Sequence, residues 1–196
     1  MQLSSMQKKV TIGIIFMLIL AAIGYYISER KVELPPMTVK EKKARFISLI
    51  VPAVDHVYQD LMSQYDDVKT LIASGKNNDE IAKLKIEYKA PTDNELLMAL
   101  KPHPKSIAIA QAAMESSWAT SRFFLEANNI FGVWSFDENE PRIAALKKRG
   151  DKTIWVREYD SIEESVYDYY RTLARGAAFK EFRKATMKTD DPYVLV

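Results

Sequence analysis

The chain has 196 residues, of which 47% are hydrophobic and 28% charged, a balance typical of a globular protein. Its net charge of +2 gives no electrostatic reason to expect a nucleic-acid partner. The absence of cysteine excludes disulfides and thiolate metal sites but does not identify the compartment.

The N-terminal part contains an uncharged, apolar run at residues 10–27, preceded by Lys8 and Lys9. Its length is near the lower limit for a helix that spans a bilayer. Tyr25 and Tyr26 lie where interfacial aromatic residues are expected. We favour a membrane anchor over a cleaved signal peptide. Residues 1–9 are then cytoplasmic, and residues 28–37 form a linker.

Residues 38–100 are predicted to form a helical extension. Thr38 and Glu41 have the spacing of a capping box, and apolar residues follow at helical intervals until Ser74 and Gly75. Pro52 is expected to kink or split this helix. Two short helices are predicted next, from residue 79 to about 88 and over residues 95–100.

Residues 101–196 are predicted to be the main domain. It begins with a helix that carries Glu115, followed by a short helix at residues 121–127. A β-hairpin is predicted from residues 142–146 and 153–159, with Gly150 and Asp151 between them. Further helical segments follow Ser161 and span residues 178–187. The predicted fold class is α+β, mostly helical, with one small β-hairpin lobe and no internal repeat.

Glu115 is a single carboxylate in the stretch AQAAMESSWATSR, residues 110–122. Apolar neighbours would desolvate this carboxyl and keep it protonated near neutrality, which suits a general acid. Trp118, three residues further on, would share its helical face and offer a surface for a sugar. The alternative is an ion pair with Arg122, and this pattern alone does not decide between the two.

The remaining histidines and acidic residues do not indicate a metal or cofactor site. His56 and His103 lack the spacing of a metal site, and no phosphate-binding loop or serine nucleophile motif is present. The acidic residues at the start of the helix after Ser161, Asp168 among them, are interpreted as a solvated face. No metal or cofactor is predicted.

The string AQAAMESSWATSRF, followed by NNIFGVW, resembles the glucosaminidase domain of flagellar and autolytic peptidoglycan hydrolases. That family's usual pattern reads AQAALESGWGTSRF…NNLFG. The segment IWVREYDSIEESVYDYYRTL is similar to the family's strand and helix. KKARFISLIVPAV resembles the Bax-like branch, which has an N-terminal helical extension. The resemblance covers about residues 40–196.

The resemblance implies a lysozyme-like fold that hydrolyses the β-1,4 bond after N-acetylglucosamine in peptidoglycan. Glu115 matches the family's general acid. The second carboxylate stays open between Glu138 and Glu140, then Glu158, or the N-acetyl group of the substrate replaces it. The residues expected to bind substrate or shape the site are Trp118, Asn129, Phe131, Gly132, Trp134, Tyr159 and Tyr193.

The chain departs from the family pattern in three places. Ser117 and Ala119 stand where the pattern usually has glycine, and the added Cβ atoms are expected to crowd the helix end or the substrate. The cysteine pair of the Bax-like branch is absent. The family generally continues through another helix, so the domain is expected to lack its last packing element.

The resemblance leaves two alternative functions open and bears on the membrane orientation. The same fold also suits a muramidase or lytic transglycosylase, and a non-catalytic glycan-binding or scaffold protein of the envelope is the rival from another class. Lys8 and Lys9 favour a cytoplasmic N-terminus, whereas Arg30 and Lys31 favour the opposite orientation. Since peptidoglycan is the expected partner, we expect an inner-membrane anchor with the domain in the periplasm.

Overall fold

The computed structural model describes residues 17–19, 34–75, 79–146 and 149–195. The chain divides into two units, Met1–Glu33 and Leu34–Val196. Residues 17–19 are helical, and the rest of the predicted membrane segment lies outside the described residues. No helix within the described ranges is long and apolar enough to cross a membrane.

The second unit contains helices before and after a two-stranded sheet. In chain order its elements are α1 (Val39–Ala73), α2 (Asp79–Glu87), α3 (Asp93–Leu100), α4 (Lys105–Glu115), α5 (Arg122–Ala127), β1 (Arg142–Ala144), β2 (Trp155–Arg157), α6 (Ile162–Arg175), a 3-10 turn (Ala177–Phe179), α7 (Lys180–Thr186) and α8 (Pro192–Leu195). The predicted class, α+β and mostly helical with a small hairpin lobe and an N-terminal helical extension, is confirmed.

Helix α1 is the longest element, and the packing of the unit depends on it. The predicted capping box is present, since the Thr38 side chain accepts from the Glu41 amide and the Glu41 carboxylate accepts from the Thr38 amide. Pro52 does not split the helix, which runs from Val39 to Ala73. Helix α1 packs against α3, α4 and α6. The helical extension and the rest of the unit therefore share one core.

The core has two clusters of buried side chains along α1. Phe46, Ile50 and Val54 pack with side chains of α4 and α6 in the first cluster. Tyr65 and Val68 pack with α2 and α3 in the second. Burying each of these side chains contributes roughly 1.5–3 kcal/mol relative to exposing it. The first cluster lies directly under the C-terminal half of α4, which carries Glu115.

The small lobe is the predicted hairpin. β1 and β2 are antiparallel, with Arg142 opposite Arg157 and Ala144 opposite Trp155. Residues 147 and 148, in the connection between the strands, lie outside the described ranges. The carbonyl of Ala127, at the end of α5, accepts from the Tyr159 amide just after β2. The hairpin is thus joined to the helical part through the segment that follows α5.

Candidate active site

Glu115 is the last residue of α4, and its side chain is exposed. Ala112 and Ala113 of the same helix are buried against the core, whereas the Glu115 side chain at the helix end is not. The expected burial of the carboxyl is therefore wrong. The alternative ion pair is absent too, because Arg122 pairs with Glu126 at 2.6 Å. Among the residues that the structure describes, none forms a hydrogen bond or ion pair with the Glu115 carboxylate.

Helix α4 ends in a Schellman motif directly after Glu115. The Trp118 amide donates to the Ala113 carbonyl at 2.9 Å, and the Ser117 amide donates to the Met114 carbonyl at 3.3 Å. In this motif the residue at the Ser117 position takes the left-handed conformation and is usually glycine. This explains in physical terms why the family pattern has glycine there.

The left-handed conformation continues for three residues. The φ angles are 53° at Ser117, 62° at Trp118 and 59° at Ala119. For residues with a Cβ atom this conformation costs roughly 1–2 kcal/mol each. Ser116, which is fully buried, offsets part of the cost because its hydroxyl accepts from the Ala119 amide at 2.8 Å. We call residues 117–119 the left-handed turn.

Trp118 lies in the left-handed turn and not on the helix, so it does not share a helical face with Glu115 as predicted. Its ring meets that of Phe46 edge-on, with centroids 5.3 Å apart. The Lys43 ammonium lies 5.2 Å from the same ring. The indole remains 38% exposed, which leaves part of it free to contact a ligand. Packing against α1 is therefore one of its functions.

Asn129 is buried and organises the loop between α5 and the hairpin. Its side chain donates to the carbonyls of Val133 and Arg157 and accepts from the Val133 amide. With 1% exposure it has no free surface for a sugar, so the structure corrects the prediction of substrate contact: Asn129 shapes the loop. Gly132 in this loop has φ +64°, the left-handed value that glycine adopts without strain.

A buried hydrogen-bond chain reaches the face of α4 that carries Glu115. The Tyr169 hydroxyl donates to Gln111 Oε1 at 2.6 Å and lies 3.0 Å from His103 Nε2. The Tyr169 hydroxyl has a single proton, which it donates to Gln111, so in the contact with His103 the imidazole Nε2–H is the donor and the Tyr169 oxygen accepts. Gln111 lies one turn before Glu115. Phe131 stacks on the Tyr169 ring at 4.1 Å, which links the NNIFG loop to this chain.

His103 in this chain is neutral. Burial lowers its pKa from 6.5 to about 4, because the interior disfavours the charged imidazolium. His103 is only 3% exposed, and the rings of Tyr169, Tyr170 and Phe182 surround its imidazole. No sequence signal indicates this role, since His103 and Tyr169 are 66 residues apart and no motif joins them.

The three candidates for a second carboxylate differ in environment. Glu138 and Glu158 are exposed, whereas Glu140 is partly buried and its carboxylate lies 2.8 Å from the Arg157 guanidinium. The Ser135 hydroxyl and the Arg157 guanidinium hold the pKa of Glu140 below its ordinary value. Glu140 is therefore an anion near neutrality and unsuited to donate a proton.

Arg157 also joins Glu140 to a cluster that the sequence did not predict. Its guanidinium lies 2.9 Å from the Asp168 carboxylate, and the Tyr159 hydroxyl donates to the same carboxylate oxygen at 2.6 Å. Burial and the neighbouring Asp168 raise the pKa of Tyr159. Asp168 is thus paired and part-buried, and the interpretation of it as a solvated helix residue is wrong. Tyr159 is only 4% exposed and its hydroxyl is bonded to Asp168, so the structure corrects the prediction of substrate contact for it as it does for Asn129.

A cavity of about 690 Å³ opens beside this cluster. Glu140, Arg157, Tyr159 and Asp168 are among its lining residues, together with residues of α1, α3 and α7, but Glu115 and Trp118 are not. The predicted acid and the anionic carboxylate Glu140 are therefore not brought into one cavity.

The remaining predicted binding residues are accessible. Trp134 is 45% exposed and lies 6.2 Å from the ring of Phe136, which is 86% exposed. Tyr193, in α8, is 89% exposed. Aromatic rings with free faces are suited to stacking on sugar rings, and their roles stay predictions.

The sequence of residues 93–194 matches the model of the glucosaminidase family, described as mannosyl-glycoprotein endo-beta-N-acetylglucosaminidase. The chain is 33% identical over 81 residues to the exo-glucosaminidase LytG of Bacillus subtilis, covering 39% of this chain and 29% of that protein. The fold was also compared with the catalytic domain of the autolysin Auto from Listeria monocytogenes. That comparison gives a TM-score of 0.36 at 15% identity, over 81% of this chain and 80% of that one. Since the family model covers more than half of its length, the chain belongs to the glucosaminidase family of glycoside hydrolases.

Proposed function

We propose that this protein hydrolyses the β-1,4 bond after N-acetylglucosamine in the glycan strands of peptidoglycan, with Glu115 as general acid. The observation that carries the proposal is the state of Glu115, which is exposed at the end of α4 and has no partner in the described part of the chain. A carboxyl committed to an ion pair would be unable to donate its proton freely.

In this mechanism Glu115 donates its proton to the glycosidic oxygen while the bond from that oxygen to C1 breaks. The leaving sugar departs with a hydroxyl group, and positive charge develops at C1. Water finally adds its oxygen to C1, and its proton returns to a carboxylate. A glycan bound over Glu115 would displace water from around the carboxyl and the scissile bond.

A second group must stabilise or attack C1. Glu140 is the best anion among the candidates, since Ser135 and Arg157 lower its pKa. It lines the cavity from which Glu115 is absent, so its participation requires a movement that brings the two carboxyl groups to within about 5–9.5 Å of each other, on either side of the scissile bond. The N-acetyl oxygen of the substrate is the alternative nucleophile, and it requires no second carboxylate in that role.

Gln111 is well placed to assist Glu115. Its Oε1 is held by the Tyr169 hydroxyl, so its amide nitrogen is oriented by a buried residue while the side chain stays exposed. That nitrogen is free to donate to an acetyl carbonyl or a sugar hydroxyl one helical turn from the acid. Exposed Trp118, Trp134 and Tyr193 are proposed as further sugar contacts.

Replacing Glu115 with glutamine tests the proposal. The isosteric amide cannot donate a proton of comparable acidity, so release of soluble fragments from purified sacculi should fall by about 10²–10⁴-fold. Glu80→Gln is the matched control, because the Glu80 carboxylate is also exposed and forms no hydrogen bond or ion pair in the described ranges. Undiminished cleavage by folded Glu115→Gln protein would refute the assignment of the acid.

Mass spectrometry of the products separates the alternatives. Reducing-end N-acetylglucosamine supports the proposed cleavage, and single sugars in place of oligosaccharides would indicate exo cleavage. Reducing-end muramic acid would indicate a muramidase, and anhydro-muramic ends a lytic transglycosylase. Binding to sacculi without any released fragment would favour the non-catalytic scaffold.

We further propose that residues 10–27 anchor the protein in the inner membrane with the domain in the periplasm. The uncharged run and the two tyrosines at its end support the anchor, and a peptidoglycan substrate requires the domain to lie outside the cytoplasm. A fusion of alkaline phosphatase to the C-terminus should be active in intact cells. A fusion found in the cytoplasm would contradict both the topology and the proposed substrate.

A further inference from the structure

The first turns of α1 contact the left-handed turn through three different side chains. Lys43 and Phe46 lie against the Trp118 ring. Arg45 donates a hydrogen bond from its guanidinium to the Ala119 carbonyl, and its charged end lies 5.7 Å from the Phe124 ring. Three residues within four positions of one helix thus reach the residues that follow Glu115.

Helix α1 lies outside the part of the chain that matches the family model, which begins at residue 93. The left-handed turn lies inside it. In this chain Ser117 and Ala119 give the turn two Cβ atoms that glycine would lack, and the conformation is strained at both. The strained turn is therefore held by a helix outside the part of this chain that matches the family model.

Glu115 depends on its backbone for its position. Its carboxylate has no hydrogen-bond or ion-pair partner among the described residues, so no other side chain holds it. On one side its backbone is fixed by α4, and on the other by Ser116 and the left-handed turn. A displacement of the turn is transmitted to the end of α4 through Ser116, whose hydroxyl bonds both the Ala112 carbonyl and the Ala119 amide.

We propose that Arg45, with Lys43 and Phe46, is a positioning residue of the active site: α1 braces the left-handed turn and thereby sets the location of Glu115. The expected effect on catalysis rests on the proposed function. The contacts between α1 and the left-handed turn, which we call the brace, are a property of the fold. The brace gives the helical extension a function beyond packing the core.

The test compares Arg45→Met, Arg45→Lys and Lys43→Met with Lys40→Met. Methionine retains most of the aliphatic stem of arginine or lysine but cannot donate to Ala119 or place a charge over Trp118. Lys40 is an exposed lysine of the same helix without a side-chain contact in the described ranges, so its variant controls for lost charge. Two readouts are needed: initial rates on sacculi for kcat and KM, and hydrogen exchange at the amides of residues 117–121.

We expect Arg45→Met to lower kcat about tenfold, the effect of one charged hydrogen bond. KM should stay within about twofold, because the residue does not contact substrate, and exchange in the turn should accelerate. Arg45→Lys should recover part of kcat. Lys43→Met should lower kcat about two- to fivefold, as expected for a cation–π contact. Lys40→Met should match the wild type.

Several results would overturn the brace. These are an unchanged kcat in folded Arg45→Met protein, an equal loss in Lys40→Met, a change confined to KM, or unchanged exchange in the turn. If Arg45→Met does not fold, Arg45→Lys and Lys43→Met decide by the same criteria. A wild-type protein without activity would refute the proposed function alone, and the exchange data would then decide on the brace.

Discussion

Replacing the two non-glycine residues at the ends of the left-handed turn with glycine should have unequal effects on stability. Both Ser117 and Ala119 have positive φ, so either replacement removes roughly 1–2 kcal/mol of conformational strain. Each also costs about 0.5–1 kcal/mol, because glycine loses more freedom on folding. Ser117 is exposed and loses no packing, so Ser117→Gly should stabilise the protein by about 1 kcal/mol.

Ala119 is fully buried, so Ala119→Gly also loses a buried methyl group worth about 0.8 kcal/mol. Its net effect on the free energy of unfolding should be close to zero. Urea denaturation monitored by tryptophan fluorescence would measure both, and in thermal unfolding Ser117→Gly should raise Tm by about 2–4 °C. Ser117→Ala is the control, since it changes the side chain but keeps the Cβ atom and the strain.

The reasoning fails if Ser117→Gly is neutral while Ser117→Ala stabilises, or if the two glycine variants gain equally. The first result would mean that the hydroxyl group, and not the backbone conformation, destabilises the turn. The second would mean that the Ala119 methyl group contributes nothing to the core.

Two further predictions concern His103 and Gly132. The folded pKa of His103, about 4, lies below its unfolded value of 6.5, so the unfolded chain binds the extra proton between these values and stability falls as pH is lowered from 6.5 to 4. The free energy of unfolding, measured by urea titrations at a series of pH values, should fall by about 3 kcal/mol over this range. His103→Gln should flatten this pH dependence between pH 6.5 and 4. An equally steep pH dependence in the variant would contradict the assignment. A Cβ at Gly132 meets no atom within 4 Å, so only its φ of +64° opposes substitution. Gly132→Ala should therefore cost about 1 kcal/mol in the same denaturation assay and Gly132→Asn less, because asparagine tolerates the left-handed conformation; equal losses would point to packing instead.

Local signals predicted most of the secondary structure correctly. The Thr38 cap begins α1 as expected, because a cap is an interaction within four residues of the chain. The hairpin also followed from local patterns. The split expected as one outcome at Pro52 is not observed: the proline lacks an amide to donate, but burial of the residues around it, Ile50 and Val54 among them, keeps α1 continuous.

The geometry around Glu115 was much less accessible to sequence reasoning. The stretch SSWAT contains no glycine to mark a left-handed helix end, so Trp118 was placed on the wrong surface. Ala108 and Ala112 lie on nearly the same side of α4 as Glu115 and are buried, so the exposure of Glu115 depends on its place at the helix end, which periodicity does not show. The chain from His103 through Tyr169 to Gln111 and the pairing of Asp168 with Arg157 join residues distant in sequence.

The sequence by itself determined the family, the candidate for the general acid and the order of helices and strands, because motifs, caps and turn residues act over a few positions. Only the tertiary structure decided that Glu115 is exposed and unpaired, that Glu140 is held as an anion by Arg157, and that α1 supports a turn without glycine. The physical reason is common to all three. Burial, ion pairing and the support of a strained backbone are set by groups that folding brings together from remote parts of the chain.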